Sequence, residues 1–356
     1  MLATREGQFI ARGLYNPAST IRVRLYRWDD EPLDEAFWAG RIAAAERLRT
    51  SVLGLAAPGA AYRLVASESD GVSGLTVDRY DHHLVVRFSS LALFHRRDRL
   101  LEQLARIEGV QGLLARAEKG VAEREGLTDL PETILGAPPA GPVLIEENQL
   151  AYRVDLQGGQ KTGFYLDHRD NRLATARYCR DRRVLDLFCY TGAFSLSALF
   201  HGAAASTLGI DGSASAIERA RENAALNGLD RARFETGDAL ESIARLRDQG
   251  ERFGVVICDP PKFARRAKDV DSALKGYARL YRAAIEILEP DGVLVACSCS
   301  GLVDRVMFSD VLASAAELAG RPLQILEQRG QAPDHPVAAS CLETDYLKCL
   351  ICRVEG

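Results

Sequence analysis

The chain has 356 residues, enough for two or three domains, and its 47% hydrophobic and 26% charged residues exclude collagen-like, fibrous and wholly disordered proteins. The sequence has no run of about 18 apolar residues and no secretory signal, so no membrane span is expected, and eight scattered cysteines without disulfide-framework spacing favour a reducing cytoplasm. A net charge of −4 excludes a globally basic nucleic-acid protein.

The first half of the sequence mixes strands and helices. Alternating apolar and polar residues predict strands, and apolar residues at helical spacing predict helices. The predicted strands cover residues 8–15, 21–26, 75–80, 83–88, 143–146 and 150–154, and the predicted helices cover residues 33–52 and 92–107. Asp81 and His82 form the turn of a predicted hairpin. This half is therefore expected to be α+β.

From about residue 158 the pattern changes to short apolar strands that alternate with helices. The predicted strands cover residues 183–188, 207–211, 234–238, 254–259 and 292–299, and the predicted helices cover residues 193–202, 213–227, 239–249 and 272–288. This alternation predicts a parallel, doubly wound sheet with helices on both faces.

Each of these five strands carries a polar side chain at or near its carboxyl end. In chain order they are Asp186, Asp211, Asp238, Asp259 and Cys299. Ligands of open α/β sheets bind at the carboxyl ends of the strands. Four acids and a thiol at one edge together predict a ligand site, although any one of them alone would be a weak signal.

The loop after the first of these strands bears on the cofactor. Dinucleotide-binding folds carry a Gly-x-Gly-x-x-Gly motif there, whereas this chain has the single Gly192, which argues against NAD. Asp211 follows at a spacing that suits hydrogen bonds to ribose hydroxyls of either NAD or S-adenosylmethionine (SAM). Asp238, which can reach an adenine amino group, favours SAM. Both acids can also cap the helices that follow them.

The loop Asp259-Pro260-Pro261-Lys262-Phe263 is a more specific signal. Two prolines fix the backbone and hold the Asp259 carboxylate at the edge of the sheet, where it can meet the polar edge of a base. Phe263 can stack on that base, an interaction of about 1–3 kcal/mol. The alternative is an ordinary helix N-terminal turn with proline in its first positions.

Positive charge is concentrated in two segments. Residues 262–282 carry seven Lys and Arg against two Asp (+5), and residues 168–183 carry six Arg against two Asp (+4), which leaves −13 on the rest of the chain. Either segment can face a polyanion or form a solvated helix face. Because the first one begins at Lys262, inside the Asp-Pro-Pro loop, nucleic acid is the favoured substrate.

Several motifs closely resemble those of the RlmI-type methyltransferases, which use SAM to form 5-methylcytosine in large-subunit ribosomal RNA. They are GQKTGFYLDHRDNR at residues 159–172, VLDLFCYTG at 184–192, DPPKF at 259–263, CSCS at 297–300, GQAPDHP at 330–336 and DYLKCL at 345–350. The resemblance covers nearly the whole chain. It implies that this chain is a SAM-dependent rRNA (cytosine-5-)-methyltransferase that acts on 23S ribosomal RNA in the cytoplasm.

The resemblance also implies the fold. We expect an α/β protein with a C-terminal Rossmann-like class I methyltransferase domain at 158–356, a small α+β middle domain at 75–157, a helical linker at 36–74 and a PUA-like β region at 1–35. The family begins with an RNA-binding PUA domain. Residues 9–17 resemble its second half, so the PUA region of this chain is expected to be shortened.

Roles for particular residues follow from the motifs and the strand ends together. The expected SAM-binding residues are Phe164, Asp167, Asp186, Phe188, Tyr190, Thr191, Gly192, Asp211, Asp238 and Asp259. The expected substrate-binding residues are Pro260, Pro261, Lys262, Phe263, Arg265 and Arg266. The Phe164–Asp167 segment is expected, by resemblance, to close over the cofactor.

The chemistry requires a thiol. Carbon 5 of cytosine is a poor nucleophile until a thiolate adds to carbon 6. A proton or a hydrogen bond at ring nitrogen 3 makes this addition easier, and Asp259 is the expected partner of that edge. Cys299 is nearer the strand end than Cys297 and matches the family's nucleophile, whereas Cys297 is expected to pack in the core. Cys349 and Cys352 point to opposite faces of a strand, so no metal is expected.

Other functions stay open. A related methyltransferase that acts on the guanine exocyclic nitrogen would use the Pro-Pro loop without a thiol. An RNA-binding assembly factor would keep the cofactor site only as a vestige, and an NAD-linked reductase is least favoured. The oligomeric state is also open, a homodimer included.

Overall fold

The computed structural model describes residues 1–117, 125–126, 133–157, 163–264 and 266–356. The chain divides into two units, each assembled from separate stretches of sequence. The first unit comprises Met1–Glu147, Val154–Asp167 and Pro333–Thr344, and the second comprises Asn148–Arg153, His168–Ala332 and Asp345–Gly356. The described residues contain no helix that is both long and apolar enough to span a membrane.

The described residues of the first unit form two sheets. An antiparallel sheet in the order β1-β2-β3 precedes a five-stranded sheet in the order β4-β5-β6-β7-β8, in which only β6 and β7 are parallel. The strands are β1 (Leu2–Ala3), β2 (Phe9–Tyr15), β3 (Val23–Arg27), β4 (Ala61–Ala66), β5 (Leu75–Tyr80), β6 (His83–Phe88), β7 (Gly112–Ala117), β8 (Thr133–Gly136) and β9 (Val143–Glu147), and the helices are α1 (Glu35–Arg47), α2 (Leu91–Phe94) and α3 (Arg97–Ala105). Segment 36–74, predicted as a linker, therefore supplies both α1 and a strand of the larger sheet.

An apolar core joins these elements. It combines Tyr26 of the small sheet, Trp38 of α1 and Leu64 of the larger sheet. Arg49, in a π-helical turn at Leu48–Val52, is fully buried and donates to Asp70 Oδ1 at 2.7 Å and to the Asp334 carbonyl at 2.7 Å. These bonds anchor the late segment Pro333–Thr344 in the first unit.

The second unit is built on a seven-stranded sheet in the order β13-β12-β11-β14-β15-β17-β16. All strands are parallel except β17, which is antiparallel to both of its neighbours. The strands are β10 (Leu150–Val154), β11 (Arg183–Leu187), β12 (Ser206–Asp211), β13 (Ala232–Thr236), β14 (Phe253–Cys258), β15 (Leu288–Ser298), β16 (Leu323–Arg329) and β17 (Lys348–Val354), with β10 outside the sheet. The mostly parallel, doubly wound class I fold is thus confirmed.

Helices cover both faces of this sheet. They are α4 (Arg169–Ala176), α5 (Ala193–Phe200), α6 (Ala214–Leu226), α7 (Ala239–Asp248), α8 (Val270–Glu286) and α9 (Arg305–Ala319). Because side chains alternate along a strand, Val256 and Cys258 pack under α7, α8 and α9, whereas Val255 and Ile257 pack under α4 and α5. With both faces covered, the carboxyl ends of the strands are the open edge where a ligand site can form.

Candidate functional site

The loop between β11 and α5 has an unusual backbone. Phe188, Tyr190 and Gly192 have φ angles of 62°, 48° and 84°, in the left-handed region that L side chains rarely adopt. A Cβ added to Gly192 would lie 2.8 Å from the Phe234 ring, so only glycine fits there. Such strain concentrates at functional sites, where the surrounding structure holds it. The loop predicted to bind the cofactor therefore has a backbone conformation that is unfavourable for Phe188 and Tyr190 and that the surrounding structure must stabilise.

Backbone hydrogen bonds tie this loop to the neighbouring strand ends. The bonds join Cys189 N to Ile210 O (3.1 Å), Gly237 N to Asp211 O (3.0 Å) and Asp259 N to Leu187 O (3.4 Å). The Thr191 carbonyl accepts a further bond from the buried Asn223 amide at 3.2 Å. The ends of β11, β12, β13 and β14 thus form one connected edge.

Asp186 is a buried acid of this edge whose pKa is strongly raised. It is 1% exposed, and its Oδ2 accepts hydrogen bonds from the Ser195 amide at 3.0 Å and the Ser195 hydroxyl at 2.7 Å. Burial, followed by the charges of Asp259 and Asp211, raises the pKa of Asp186 to about 7, although the Ser195 bonds oppose the shift. Its buried Oδ1 has no hydrogen-bond partner within the described ranges.

Asp211 and Asp238 have structural duties at the next two strand ends. Asp211 accepts from the amides of Tyr190 at 3.0 Å and Ser213 at 2.8 Å, and so holds the β11 loop against the start of α6. Asp238 is exposed and caps α7, because its Oδ1 accepts from the first free amides of that helix at 2.9 and 3.0 Å. Neither duty uses every oxygen lone pair, so both carboxylates can still accept from a ligand.

These residues fit SAM. SAM carries a sulfonium and an ammonium cation, and the edge presents Asp186 together with Asp211 and Asp259, two acids close enough for their charges to raise the pKa of Asp186. A buried carboxylate oxygen without a hydrogen-bond donor is costly, and a cationic ligand group would offset that cost. The acidic residues that the sequence predicted at this edge therefore suit a positively charged cofactor.

Asp259 lies beside His168, a residue to which the sequence assigned no role. The Nε2 atom of His168, which is 2% exposed, is 3.4 Å from Asp259 Oδ2. Asn171 places its Nδ2 3.1 Å from His168 Nδ1, and this orientation of the amide is fixed because Arg329 donates to Asn171 Oδ1 and Nδ2 donates to the Gly330 carbonyl. Nδ1 must therefore accept, which puts the proton of a neutral ring on Nε2, facing Asp259.

This tautomer also bears on metal binding. Within the described part of the chain, His168, Asp259 and Cys297 offer ligand atoms that lie within 4.8 Å of one another. A metal at Nε2 would require the proton to move to Nδ1, where it would oppose the Asn171 amide hydrogen. The hydrogen-bond network thus favours a protonated Nε2 over a metal ligand.

Cys299 lies just beyond the end of β15, between two anchored serines. It is partly exposed, whereas Ser298 and Ser300 are fully buried. The Tyr277 hydroxyl is 3.0 Å from Ser298 Oγ and 3.2 Å from Ser300 Oγ, and Lys348 Nζ donates to the Ser300 carbonyl at 2.6 Å. The backbone on both sides of the thiol is therefore fixed, and β14 pairs directly with β15, so the Asp259 and Cys299 loops are adjacent.

The Asp-Pro-Pro loop exposes part of its predicted substrate surface. Pro260 is buried, Pro261 and Lys262 are exposed, and Phe263 stacks on Tyr277 with ring centroids 4.6 Å apart. One face of Phe263 is thus occupied, and stacking on a base stays a prediction for the rest of the ring. Arg266 and the other described basic residues of 262–282 are exposed, whereas Arg265 lies outside the described residues.

The other basic segment behaves differently. Arg169 and Arg172 of α4 are buried, and the Arg172 guanidinium lies over the Phe194 ring at 5.7 Å. Residues 168–183 are therefore in part a structural element and not simply a charged surface.

Two predicted cofactor residues belong to the first unit. Phe164 is buried, and its carbonyl accepts from the Tyr80 hydroxyl at 3.5 Å, while Asp167 is partly buried in a 3-10 turn. Residues 159–162 of the same motif lie outside the described residues. The closure of this segment over the cofactor stays a prediction.

Comparisons with known proteins bear on the whole chain. A family model described as S-adenosylmethionine-dependent methyltransferase matches residues 119–351, and a PUA-like domain matches residues 2–28. The ribosomal RNA large subunit methyltransferase I of Tolumonas auensis is 41% identical over 99% of this chain and 89% of its own length, and that of Vibrio cholerae is 39% identical over 98% and 88%.

Solved structures agree on the fold. A methyltransferase crystallised with SAH has a TM-score of 0.87 at 22% identity, and it covers 99% of this chain and 90% of its own. A SAM-dependent methyltransferase from Streptococcus mutans has a TM-score of 0.85 at 21% identity, with the same coverage. The family model over residues 119–351, in agreement with this fold, identifies a SAM-dependent methyltransferase. Within that class, the chain belongs to the ribosomal RNA large subunit methyltransferase I family.

Proposed function

We propose that this protein methylates carbon 5 of a cytosine in 23S ribosomal RNA through a covalent adduct of Cys299. The observation that carries the proposal is the setting of this thiol: partly exposed, held between two anchored serines, and next to the Asp-Pro-Pro loop. The names of the relatives support ribosomal RNA as the substrate, and the exposed basic face of residues 262–282 has the charge that a polyanion requires.

The chain's own residues would act in sequence. The target cytosine leaves its helix and enters the site with its ring edge at Asp259. The Cys299 thiolate forms a bond to carbon 6, and nitrogen 3 receives the displaced electron pair together with a proton donated by the Asp259 carboxyl group. His168 faces Oδ2 of Asp259 and keeps the carboxylate in one orientation. Carbon 5 becomes nucleophilic and takes up the methyl group. A general base then removes the carbon 5 proton, so that the carbon 5–carbon 6 double bond re-forms, the carbon 6–sulfur bond breaks and the Cys299 thiolate leaves.

SAM supplies an electrophilic methyl group when bound. The roles proposed for the chain are charge complementarity at Asp186, ribose contacts at Asp211 and an adenine contact at Asp238. Asp186 is 1% exposed, so its carboxylate is shielded from solvent. We place the activity in the cytoplasm, since all eight cysteines are free thiols.

The test is transfer of labelled methyl groups from SAM to 23S ribosomal RNA, followed by nucleoside analysis. Wild type should yield labelled 5-methylcytosine, and Cys299→Ala should yield none. Cys341→Ala removes another partly exposed thiol and should retain activity. Label in a methylguanine that survives Cys299→Ala would replace the proposal with guanine methylation, and RNA binding without any transfer would indicate an assembly factor.

A further inference from the structure

Lys348 is a buried cation to which the steps above assign no role. It is 2% exposed and begins β17, where it pairs in register with Ser298 at the end of β15. Lysine is almost never fully buried without a partner. Its ammonium donates to the Ser300 carbonyl at 2.6 Å and to the Tyr346 carbonyl at 2.9 Å, and among the described residues these are its only hydrogen-bond acceptors.

These two carbonyls do not neutralise the ammonium. An ammonium has three N–H groups, so one donor remains after two carbonyl bonds. The carbonyl of Ser300 belongs to the residue that follows Cys299, and Ser298, opposite Lys348, precedes it. The lysine is therefore held beside the backbone of the proposed nucleophile and not merely somewhere in the core.

The charged and titratable groups around Lys348 come from several elements. Asp345 lies on the approach to β17, Cys299 follows β15, Arg305 begins α9, and Lys262 lies in the Asp-Pro-Pro loop. Burial is the main reason that the pKa of Lys348 falls to about 8; Arg305 and Lys262 lower it further, while Asp345 and Cys299 raise it. Asp345 is exposed and lies 3.7 Å from Arg305. Its negative charge therefore interacts with Arg305 as well as with Lys348 and only partly balances the charge of Lys348.

We propose that Lys348 is a positioning residue that stabilises the thiolate of Cys299 and fixes the Ser298–Ser300 backbone that presents it. A nearby ammonium favours the thiolate because opposite charges attract strongly where solvent is excluded. Attack on carbon 6 consumes the thiolate charge, and its later expulsion restores it, so the same cation would also favour release. The inference rests on the proposed role of Cys299.

The test is alkylation of Cys299 by iodoacetamide as a function of pH, in the full chain without RNA or SAM, with each cysteine followed by peptide mass spectrometry. Lys348→Met removes the charge at similar volume and should slow alkylation of Cys299 about tenfold near neutral pH, with the half-maximum moved up by about one pH unit. Cys341 provides an internal control, and Lys275→Met, at an exposed lysine, should leave the Cys299 curve unchanged.

A second variant keeps the test valid if Lys348→Met does not fold. In wild type, the lysine and thiol should titrate as a coupled pair and give a broad curve, since the pKa of Lys348 is near 8. Lys348→Arg keeps its charge and should sharpen the curve into a single step at similar or lower pH.

The results separate the two proposals. Cys299 curves that are identical in wild type, Lys348→Met and Lys348→Arg would overturn the role of Lys348, whatever the methylation data show. Methyl transfer that survives Cys299→Ala would instead overturn the proposed nucleophile, even if Lys348 does shift the alkylation curve.

Discussion

Asp186 provides the sharpest quantitative prediction of the structure. Replacing it with asparagine keeps the shape of the side chain and leaves one oxygen to accept both Ser195 bonds. It removes the buried charge whose cost raises the pKa of this acid to about 7. Asp186→Asn should therefore make the protein more stable in weak base while it weakens binding of the cationic cofactor.

The sign follows from proton binding. Below the unfolded pKa of Asp186, both the folded and unfolded states hold its proton, and the native environment carries no penalty from ionisation. As pH rises toward 7, the unfolded carboxyl has already ionised while the folded one still holds its proton, so wild type progressively loses stability. A rise in pKa from 3.8 to about 7 corresponds to about 4 kcal/mol in total, of which about 3 kcal/mol falls between about pH 5 and about pH 8.

Urea unfolding of wild type and variant across this pH range measures the difference directly. The free energy of unfolding of Asp186→Asn minus that of wild type should grow by about 3 kcal/mol from about pH 5 to about pH 8. Asp238→Asn is the control, since Asp238 is exposed and asparagine also caps helices. A difference between Asp186→Asn and wild type that does not change with pH would refute the reasoning.

Other variants test the remaining parts of the structure. His168→Leu should lower kcat/KM about tenfold by freeing the Asp259 carboxylate, whereas His168→Gln, which can still donate an amide hydrogen, should retain most activity; equal losses would contradict the positioning role. Gly192→Ala should lower both the melting temperature and the SAM affinity measured by calorimetry, because the added Cβ would meet the Phe234 ring and the φ angle of this residue is positive. An unchanged SAM affinity would show that this loop does not bind the cofactor. Arg49→Met should lower the free energy of unfolding in urea by about 3–5 kcal/mol, because it leaves the buried Asp70 carboxylate without its ion-pair partner. A loss below about 1 kcal/mol would show that water solvates Asp70 in place of Arg49.

The sequence predicted the parts of the fold that depend on local pattern. The hairpin of residues 75–80 and 83–88 appears as β5 and β6 with the same bounds, and the alternating strands and helices form the expected parallel sheet. The predicted helix at 33–52 instead ends at Arg47 and continues as a π-helical turn, where Arg49 turns inward to its buried acceptors. That change depends on partners far along the chain, which local spacing cannot reveal.

The end of the sheet was harder to predict. Residue patterns did not identify β16, whose Gln324 and Glu327 are consistent with an exposed edge strand and equally with a loop. β15 begins at Leu288, four residues before the apolar run from which it was predicted, and it includes Pro290. The strand is extended because Leu288 pairs with Phe253 of β14. Edge strands and extensions are set by tertiary pairing more than by propensity.

At the site, the strand-end acids were found because they recur at one position in each βα unit. His168 and Lys348 were missed because their significance comes from neighbours distant in sequence. Lys348 did leave a signal, since it is a lysine at the start of the strand Lys348–Val354 and the four residues that follow it are apolar. His168 left no such signal in the sequence. Its role depends on which ring nitrogen carries the proton, and only the orientation of the Asn171 amide in the structure determines that.

Neither unit is a continuous stretch of chain, since the chain passes between the two units five times. During translation, residues 1–147 emerge long before Asp334, whose carbonyl accepts from Arg49 and whose carboxylate accepts from the Arg63 amide. β17, which lies between β15 and β16, emerges later still. Both units therefore complete their folding in the same late interval of synthesis, and a ribosome stalled before β17 would display two unfinished units in place of one finished domain.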